Sequence, residues 1–104
     1  MRRHNYFIYI LTNPGKTTLY VGVTNNLTRR LGEHIANKGQ FKTFAGRYFC
    51  NQLIYFEQFK YINDAIAREK QIKRWSRKKK ENLIATTNPK WLSLNAQFLD
   101  TRYD

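Results

Sequence analysis

Glu69 places a charged carboxylate on the apolar side of a predicted helix. At about 100° per residue, one side of this helix carries Ile62, Ala65, Ile66 and Ile72, and Glu69 lies within the same apolar arc. A carboxylate in such a position must be paired, protonated, bound to a metal or exposed in a cleft. One interpretation is a structural ion pair with a nearby arginine, and the other is a site that uses the negative charge.

A second predicted helix presents Arg30 and His34. Their i, i+4 spacing places the two side chains one turn apart on the same face, beside Leu27 and Leu31. An arginine extending past a leucine and a half-exposed histidine would explain the pair without a function. Taken with Glu69, the pair indicates a site that cleaves phosphodiesters. Arginine clamps phosphate, a carboxylate holds a hard divalent cation, and histidine or a tyrosine of the preceding hairpin moves protons.

Positive charge is concentrated around and after Glu69. Eight of the thirteen residues from 68 to 80 are lysine or arginine. The charges could follow a phosphate backbone while Trp75 stacks on a base; the alternative is a solvated helix face with Trp75 packed inward. We favour a combination in which the charges contact phosphates and Trp75 belongs mostly to the core. The basic residues are Arg68, Lys70, Lys73, Arg74, Arg77, Lys78, Lys79 and Lys80.

The overall composition favours a nucleic acid as partner. The 104 residues include 19 Lys and Arg against 7 Asp and Glu, a formal charge of +12, which attracts polyanions by releasing condensed counterions. The length suits one domain, and the 15% aromatic content argues against disorder. No apolar run is long enough to span a membrane. The single cysteine, Cys50, excludes an internal disulfide or a multi-cysteine zinc site, and it fits a reducing, cytoplasmic setting.

The elements that must position these groups begin with a predicted antiparallel hairpin. Residues 5–12 and 18–24 are rich in aromatic and β-branched residues, and Asn13-Pro14-Gly15 between them is a turn in which Gly15 would take the positive φ. Tyr9 shares one face of the first strand with Phe7 and Leu11. The remaining elements are a helix over 26–37 capped by Asn25 or Asn26, a strand over 52–59, a helix capped by Asn63 and ending near Ser76, and a helix over 80–86.

Two stretches show little periodicity. Residues 37–50, with Gly39 and Gly46, look irregular, and residues 95–104 look like a loosely held tail. The order β-β-α-β-α-α predicts one domain over residues 1–104, of the α/β (mixed α+β) class, with a small, mainly antiparallel three-stranded sheet flanked by helices.

These motifs resemble the GIY-YIG endonuclease family, which includes the nuclease domain of the excinuclease subunit UvrC, homing endonucleases and small stand-alone proteins. Phe7-Ile8-Tyr9 stands for Gly-Ile-Tyr, and Tyr20-Val21-Gly22 for Tyr-Ile-Gly. Asn26 to Leu31 resembles Asn-Leu-x-x-Arg-Leu and places the family's arginine on Arg30. Glu69 corresponds to the metal-binding glutamate, and Asn88 to the final asparagine. The resemblance covers residues 5–94, with Phe7 and Val23 as departures from the pattern.

The resemblance implies a metal-dependent endonuclease that hydrolyses DNA phosphodiester bonds, in repair or recombination. Glu69 would bind Mg²⁺ or Mn²⁺, Arg30 would neutralise charge on the phosphate, and Tyr9 or Tyr20 would orient or deprotonate the attacking water. His34 would assist, where UvrC-like members use a lysine at the position of Val23. The expected nucleic-acid contacts are Gly22, where a missing side chain would let backbone approach phosphate, and Arg29, Lys73, Arg74, Arg77, Lys78 and Asn88.

Two other functions stay open. The first is a nucleic-acid-binding module that keeps the fold but cleaves poorly, which Phe7 and Val23 favour. The second is a subunit whose basic face docks on an acidic protein. Branched or single-stranded DNA is the expected substrate form, and the sequence does not decide which tyrosine is the base.

Overall fold

The computed structural model describes residues 5–36 and 49–99. Within them the chain order is β-β-α-β-α-α, which confirms the predicted mixed α+β class. The elements are β1 (Tyr6–Thr12), β2 (Leu19–Thr24), α1 (Leu27–Ala36), β3 (Gln52–Phe59), α2 (Ile62–Lys73), α3 (Arg77–Ala85) and a short 3₁₀ helix, Asn95–Gln97. Most of the predicted irregular stretch, residues 37–48, lies outside the described residues, and so do residues 100–104.

The sheet has the strand order β2-β1-β3, with both neighbouring pairs antiparallel. Because side chains alternate along a strand, β1 sends Ile8 and Ile10 to one face and Tyr9 and Leu11 to the other. Helices cover both faces, so the sheet is the middle layer of the domain. The first face packs with Ala65, Ile72 and Ile84 of α2 and α3, and the second packs with Leu27 and Leu31 of α1.

The hairpin turn differs from the predicted one at the residue with positive φ. Lys16, with φ of 59°, occupies the left-handed region, whereas Gly15 does not. The side chain of Asn13 explains the difference, because its Oδ1 accepts hydrogen bonds from the backbone N–H groups of Thr17 at 2.8 Å and Thr18 at 3.0 Å. These bonds hold the loop beyond Gly15 in shape.

The helix boundaries follow their caps. The Oδ1 of Asn26 accepts the backbone N–H of Arg29 at 3.0 Å, which confirms Asn26 as the N-cap of α1. Asn63 is not a cap, since α2 already begins at Ile62. This helix ends at Lys73, earlier than predicted, because Ser76 caps α3 by accepting the N–H of Lys79 at 3.2 Å. No helix in the described ranges combines the length and apolar character needed to cross a bilayer.

β3 carries an extra residue opposite one step of β1. Ile10 pairs with Tyr55, but the next residue, Leu11, pairs with Leu53. Ile54 therefore bulges out of the ladder, which leaves its carbonyl group in need of another partner.

The partner is the buried side chain of Asn88. Its Nδ2 donates to the carbonyl oxygen of Ile54 at 3.0 Å and to that of Leu92 at 2.8 Å, while its Oδ1 accepts the N–H of Leu92 at 3.0 Å. The amide of Asn88 is thus fully used by the backbone, and it ties the chain after α3 to the bulge in the sheet.

The residues after position 94 are also fastened to β3. The Oδ1 of Asn95 accepts the N–H of Leu53 at 2.8 Å, and its Nδ2 donates to the carbonyl of Asn51 at 2.9 Å. The ring of Phe98 meets that of Phe56 edge-on, with centroids 5.0 Å apart. The prediction of a loosely held tail is therefore wrong for residues 95–99. It relied on the lack of periodicity, whereas this segment is held by the hydrogen bonds of one asparagine side chain and by an aromatic contact.

Candidate active site

Tyr9 projects from β1 and lies over Gly22 of β2. The two residues are directly paired across the strands, so their side-chain positions fall on the same face. A Cβ added to Gly22 would overlap the phenol of Tyr9, with Oη and Cζ as the closest atoms. The space at Gly22 is therefore filled by Tyr9, which corrects our expectation that it leaves room for a phosphate.

The hydroxyl of Tyr9 hydrogen-bonds the Nε2 of His34 across 3.2 Å. The half-buried ring of Tyr20 on β2 lies 6.2 Å from the ring of Tyr9 and 5.4 Å from that of His34, measured between centroids. Helix α1 brings His34 to this place because Leu27 and Leu31 of the same helix are buried against the sheet. Three side chains that the sequence assigned to separate motifs are thus mutual neighbours.

The environment keeps Tyr9 and His34 uncharged at neutral pH. Burial, reinforced by the neighbouring Tyr20, raises the pKa of Tyr9 above its ordinary value, and the charge of Glu69 adds to the rise while Arg30 opposes it. Burial and, after it, the positive charge of Arg30 lower the pKa of His34 below 6.5. A protonated phenol therefore faces a neutral imidazole, and the imidazole is the better proton acceptor of the two.

Arg30 lies one helical turn before His34 and is poorly satisfied. Its Nε is buried and has no hydrogen-bond partner in the described part of the chain. Arg30 forms an ion pair with Glu33, whose Oε1 lies 3.5 Å from that Nε without making a hydrogen bond, and 41% of the Arg30 side chain is exposed. A buried donor left unpaired costs about 1–3 kcal/mol. An anionic oxygen that reached this guanidinium would remove that cost.

Glu69 lies on α2, where its side chain is only 15% exposed between Ala65 and Ile72. Its ion-pair partner is Lys73, 3.5 Å away and 51% exposed, not the arginine that the structural interpretation called for. Such a pair with a half-exposed lysine contributes little stability. The charge of Glu69 is the weakest of the influences that raise the pKa of Tyr9, and the apolar residues of α2 pack on the face of the sheet opposite Tyr9.

A second inward carboxylate, Glu57 on β3, is already neutralised. Arg68 donates from Nε to Oε1 at 2.9 Å and from Nη2 to Oε2 at 3.0 Å, and the hydroxyl of Tyr55 also donates to Oε2. Our sequence interpretation missed this network and counted Arg68 among the charges that contact phosphates. The available signal was the alternation of Tyr55 and Glu57 along one side of a strand.

The chemistry of Glu69 fits a divalent cation. Within the described residues, 5–36 and 49–99, no group of three or more His, Cys, Asp or Glu side chains is arranged to hold a metal. Mg²⁺ does not require such a cage, since it commonly uses one or two carboxylates together with waters and substrate phosphates. The shielded carboxylate of Glu69, with one weakly bound lysine as its partner, meets that requirement.

The polar and basic side chains predicted to contact nucleic acid divide into those bonded within the protein and those exposed without a partner among the described residues. Arg77 donates from Nη1 to the carbonyl of Thr17 at 2.8 Å and pairs with Glu81 at 3.0 Å, so it fastens α3 to the hairpin turn. Lys73 is paired with Glu69, and the amide of Asn88 serves the fold. Three predicted contact residues are different, because their side chains are exposed and make no hydrogen bond or ion pair with the described part of the chain. They are Arg29, Arg74 and Lys78.

Trp75 lies at the junction of α2 and α3 and is half-buried. It packs against the core cluster on the α2 side of the sheet. The guanidinium of Arg68 lies 5.2 Å and the Nζ of Lys79 lies 4.6 Å from its ring. Its ring therefore has a core contact and two cationic neighbours, which leaves it less open to a base than an exposed platform.

Comparison with known proteins identifies the family and the fold of this chain. Residues 5–82 match the family described as GIY-YIG catalytic domain. A UPF0213 protein from Bacillus pumilus is 38% identical over 84 residues, covering 81% of this chain and 83% of the relative. A UPF0213 protein from Natronomonas pharaonis is 40% identical over 81 residues, covering 78% and 92%. The solution NMR structure of a UPF0213 protein from Bacillus halodurans superposes with a TM-score of 0.54 at 28% identity, covering 93% and 98%.

The matched range contains Tyr9, Tyr20, Arg30, His34 and Glu69, whereas Asn88 lies beyond it. The resemblance inferred from the two tyrosine motifs is confirmed. This chain belongs to the GIY-YIG family, in the small branch formed by the UPF0213 proteins.

Proposed function

We propose that this chain is a metal-dependent endonuclease that hydrolyses phosphodiester bonds in DNA. Membership of the GIY-YIG family implies an endonuclease-type activity on nucleic acid. The observation that carries the proposal is the hydrogen bond between Tyr9 and the neutral His34. A proton acceptor that is uncharged at neutral pH, within one helical turn of a guanidinium whose Nε has no hydrogen-bond partner among the described residues, suits general base catalysis on a phosphate ester.

His34 is the proton acceptor in this proposal, through Nδ1, in the tautomer whose Nε2–H donates to the hydroxyl oxygen of Tyr9. As a water oxygen forms its bond to phosphorus, Nδ1 takes the proton from that water, and the bond from phosphorus to the leaving sugar oxygen breaks. Tyr9 keeps its own proton, because burial raises its pKa, and its hydroxyl orients the imidazole. Tyr20 completes the wall of the cluster. The tyrosines therefore position groups, and neither needs to ionise.

Arg30 and Glu69 deal with charge on the phosphate. The guanidinium of Arg30 neutralises the non-bridging oxygens, where fixed donors stabilise the transition state most. Glu69 would hold Mg²⁺ or Mn²⁺ next to the scissile group. Such an ion, when bound, polarises the phosphate and stabilises the leaving oxygen.

The exposed cations guide DNA to this site. Arg29, Arg74 and Lys78 are exposed, and the chain carries a formal charge of +12, so backbone phosphates are attracted with a strong dependence on salt. We infer repair or recombination intermediates, branched or single-stranded, as substrates. A reducing, cytoplasmic setting is part of the same proposal and rests on the single cysteine, Cys50, which is buried.

The ion pair between Glu69 and Lys73 favours a second candidate, a nucleic-acid-binding module without efficient cleavage. If Lys73 holds the acid permanently, no cation displaces it. Salt-sensitive DNA binding with no cleavage in Mg²⁺ or Mn²⁺ would identify this function. In that case, Lys73→Ala would not produce cleavage, and it would weaken DNA binding by no more than the loss of one phosphate contact.

The decisive experiment measures nicking of supercoiled plasmid and cleavage of flapped, branched and single-stranded oligonucleotides with Mg²⁺, Mn²⁺ or EDTA. Glu69→Gln keeps the shape of the side chain and removes the charge, and Arg30→Ala removes the guanidinium. We expect both variants to lose at least about 100-fold in rate, as observed when single transition-state contacts are removed. Circular dichroism confirms that they fold.

A matched control is available on α3. Glu81→Gln removes a partly exposed acid that, like Glu69, is paired to a cation one turn away. This variant should retain a rate within a few fold of that of the parent protein. Unchanged nicking by the Glu69 and Arg30 variants would reject the proposal.

A further inference from the structure

A cleft opens where β1 and α1 begin, and no part of the proposed chemistry uses it. Its volume is about 280 Å³, and Phe7 and Phe98 line it together with polar side chains at its rim. Among the polar groups are the amides of Asn5, Asn25 and Asn26. Among the residues that the structure describes, none of those lining the cleft is charged. A neutral, flat occupant with hydrogen-bonding edges matches this lining.

The aromatic rings are held in place from behind. Phe56 contacts Phe7 edge-on, with centroids 6.4 Å apart, and Phe98 at 5.0 Å. Both lining rings are half-buried, so they combine a fixed position with an accessible surface. Rings of this kind are the usual stacking partners of unpaired bases.

The amides at the rim have capacity to spare. Among the described residues, the side chains of Asn5 and Asn25 make no hydrogen bond. Asn26 uses its Oδ1 to cap α1 through the N–H of Arg29, which leaves its Nδ2 as a donor. An asparagine amide matches the paired donor and acceptor on a base edge.

The size of the cleft agrees with a base. A cavity of about 150 Å³ in a protein core accommodates a single benzene ring, so about 280 Å³ has room for a one- or two-ring base. It is smaller than most pockets for drug-sized ligands, which start at about 300 Å³. The next residues of α1, Arg29 and Arg30, supply the positive charge that the phosphate of such a nucleotide requires.

The position of the cleft relates it to the proposed cleavage site. Phe7 and Tyr9 share one face of β1 two residues apart, a separation of about 6.6 Å along the strand. Thr28 at the cleft and His34 are six residues apart on α1, about 9 Å. One DNA strand advances about 3.4 Å per nucleotide in a duplex, so these distances correspond to two or three nucleotides.

We propose that this cleft binds one unpaired base of the DNA, within three nucleotides of the bond that is cleaved. The inference rests on the proposed function and narrows its substrate class. A base edge inside a duplex is occupied by its partner base, so only a single-stranded segment, a flap or a junction supplies an occupant. Cleavage is then directed by an unpaired base next to the scissile bond, and fully paired DNA is a poor substrate.

An abasic scan tests the proposal. Labelled twelve-nucleotide single strands, each with one tetrahydrofuran abasic residue, are compared for binding in EDTA by fluorescence anisotropy and for cleavage in Mg²⁺. We expect one position, within three nucleotides of the cut bond, to weaken binding by about 5- to 100-fold, the range that loss of base stacking gives. A uniform response to every abasic position, or no binding of the strand, would overturn the proposal.

Two variants assign the effect to the cleft. Phe98→Leu removes a stacking ring with little loss of volume, and Asn25→Leu removes an exposed amide without disturbing the core. In both variants, removal of the base at the sensitive position should weaken binding by less than about threefold, because the side chain that contacts this base is already missing. Phe49→Leu, which alters an exposed phenylalanine that does not line the cleft, should keep the full penalty. A full penalty in the Phe98 and Asn25 variants would place the base elsewhere.

The two proposals fail separately. A position-specific penalty on binding in EDTA without cleavage in any metal supports the base site and rejects the nuclease. Metal-dependent cleavage with a uniform abasic scan supports the nuclease and rejects the base site.

Discussion

The phenol of Tyr9 occupies the space that a side chain at Gly22 would fill. The two residues face each other across β1 and β2, and the closest atoms to a Cβ at Gly22 belong to the ring and hydroxyl of Tyr9. Because the same hydroxyl bonds His34, the glycine determines where the tyrosine and the imidazole meet.

Gly22→Ala should therefore disable the site through Tyr9. The added methyl group forces the phenol away from His34, and overpacking of this kind costs about 1–3 kcal/mol of unfolding free energy. Displacement of catalytic groups by about 1 Å lowers rates by about 100-fold. Plasmid nicking and thermal denaturation measure the two effects.

Gly32→Ala is the matched control. A Cβ at Gly32 of α1 has no atom within 4 Å, and alanine is favoured over glycine in a helix by about 1 kcal/mol. This variant should gain stability and keep its activity. If Gly22→Ala behaved like Gly32→Ala, the role of Gly22 in placing Tyr9 would be refuted.

The rate of cleavage should depend on the protonation of His34. Burial and Arg30 lower its pKa below 6.5, so the neutral, proton-accepting form predominates at pH 7 and the rate falls only at more acidic pH. The profile of kcat/KM from pH 5 to 8 should be flat near neutrality, with its acidic limb below 6.5. His34→Gln should lower the rate by about 100- to 10,000-fold and abolish that limb. An acidic limb that persists in His34→Gln would assign it to another group.

The same shift makes the fold sensitive to acid. The pKa of His34 is lower in the folded chain than in the unfolded chain, so the unfolded state binds more protons as the pH falls below 6.5, and the free energy of unfolding decreases. Urea denaturation at pH 7 and pH 5 should show a smaller loss of stability for His34→Gln than for the parent protein. An equal loss in the two proteins would show that other groups cause the acid sensitivity.

Asn88→Ala should damage the fold more than the affinity for DNA. It leaves the carbonyls of Ile54 and Leu92 and the N–H of Leu92 without the side-chain partners they have now. Unpaired buried polar groups cost about 1–3 kcal/mol each, so we expect a loss of about 2–4 kcal/mol in urea denaturation. Asn82→Ala, at an exposed position of α3, should change stability by less than about 0.5 kcal/mol. A large loss of DNA affinity in folded Asn88→Ala would restore it as a contact residue.

Lys78 and Arg77 are adjacent but should respond differently to replacement. Lys78 is exposed, so Lys78→Ala should reduce the slope of log affinity against log salt concentration by about 0.9, the value for one phosphate contact. Arg77→Ala should instead lower the melting temperature, because Arg77 bonds the carbonyl of Thr17 and pairs with Glu81. Equal changes in the salt slope would show that Arg77 also binds phosphate.

Local patterns were enough to predict most of the architecture. Aromatic and β-branched runs located all three strands to within one residue at their ends, and Asn26 was recognisable as a cap because its side chain acts on its own helix. The errors occur where a side chain bonds backbone groups that the pattern did not connect to it. Asn13 is the first residue of the predicted turn, but its side chain also bonds the N–H groups of Thr17 and Thr18 and so fixes the rest of the loop. Asn95 anchors residues that have no periodicity to a strand 42 positions away, which leaves no local pattern.

The candidate site was predictable in part for the same reason. Arg30, His34 and Glu69 stood out because helical spacing put polar groups beside apolar ones. The contact of Tyr9 with His34 joins residues 25 positions apart, and no spacing rule relates a strand to a helix. The neutralisation of Glu57 by Arg68 depends on the packing of α2 against β3. The partner of Glu69, by contrast, lies one turn along the same helix, so the i, i+4 spacing of Lys73 could have identified it from the sequence.

Asn88 and Asn95 also decide how much of the chain can exist on its own. Every candidate catalytic residue lies within residues 5–82, yet the amides that complete β3 come from beyond that range. A fragment ending at residue 82 would expose the bulged side of an edge strand, with unpaired main-chain groups that invite another molecule to pair with them. The autonomous folding unit is therefore longer than the catalytic module, and trimming the chain to its motif would favour self-association and aggregation.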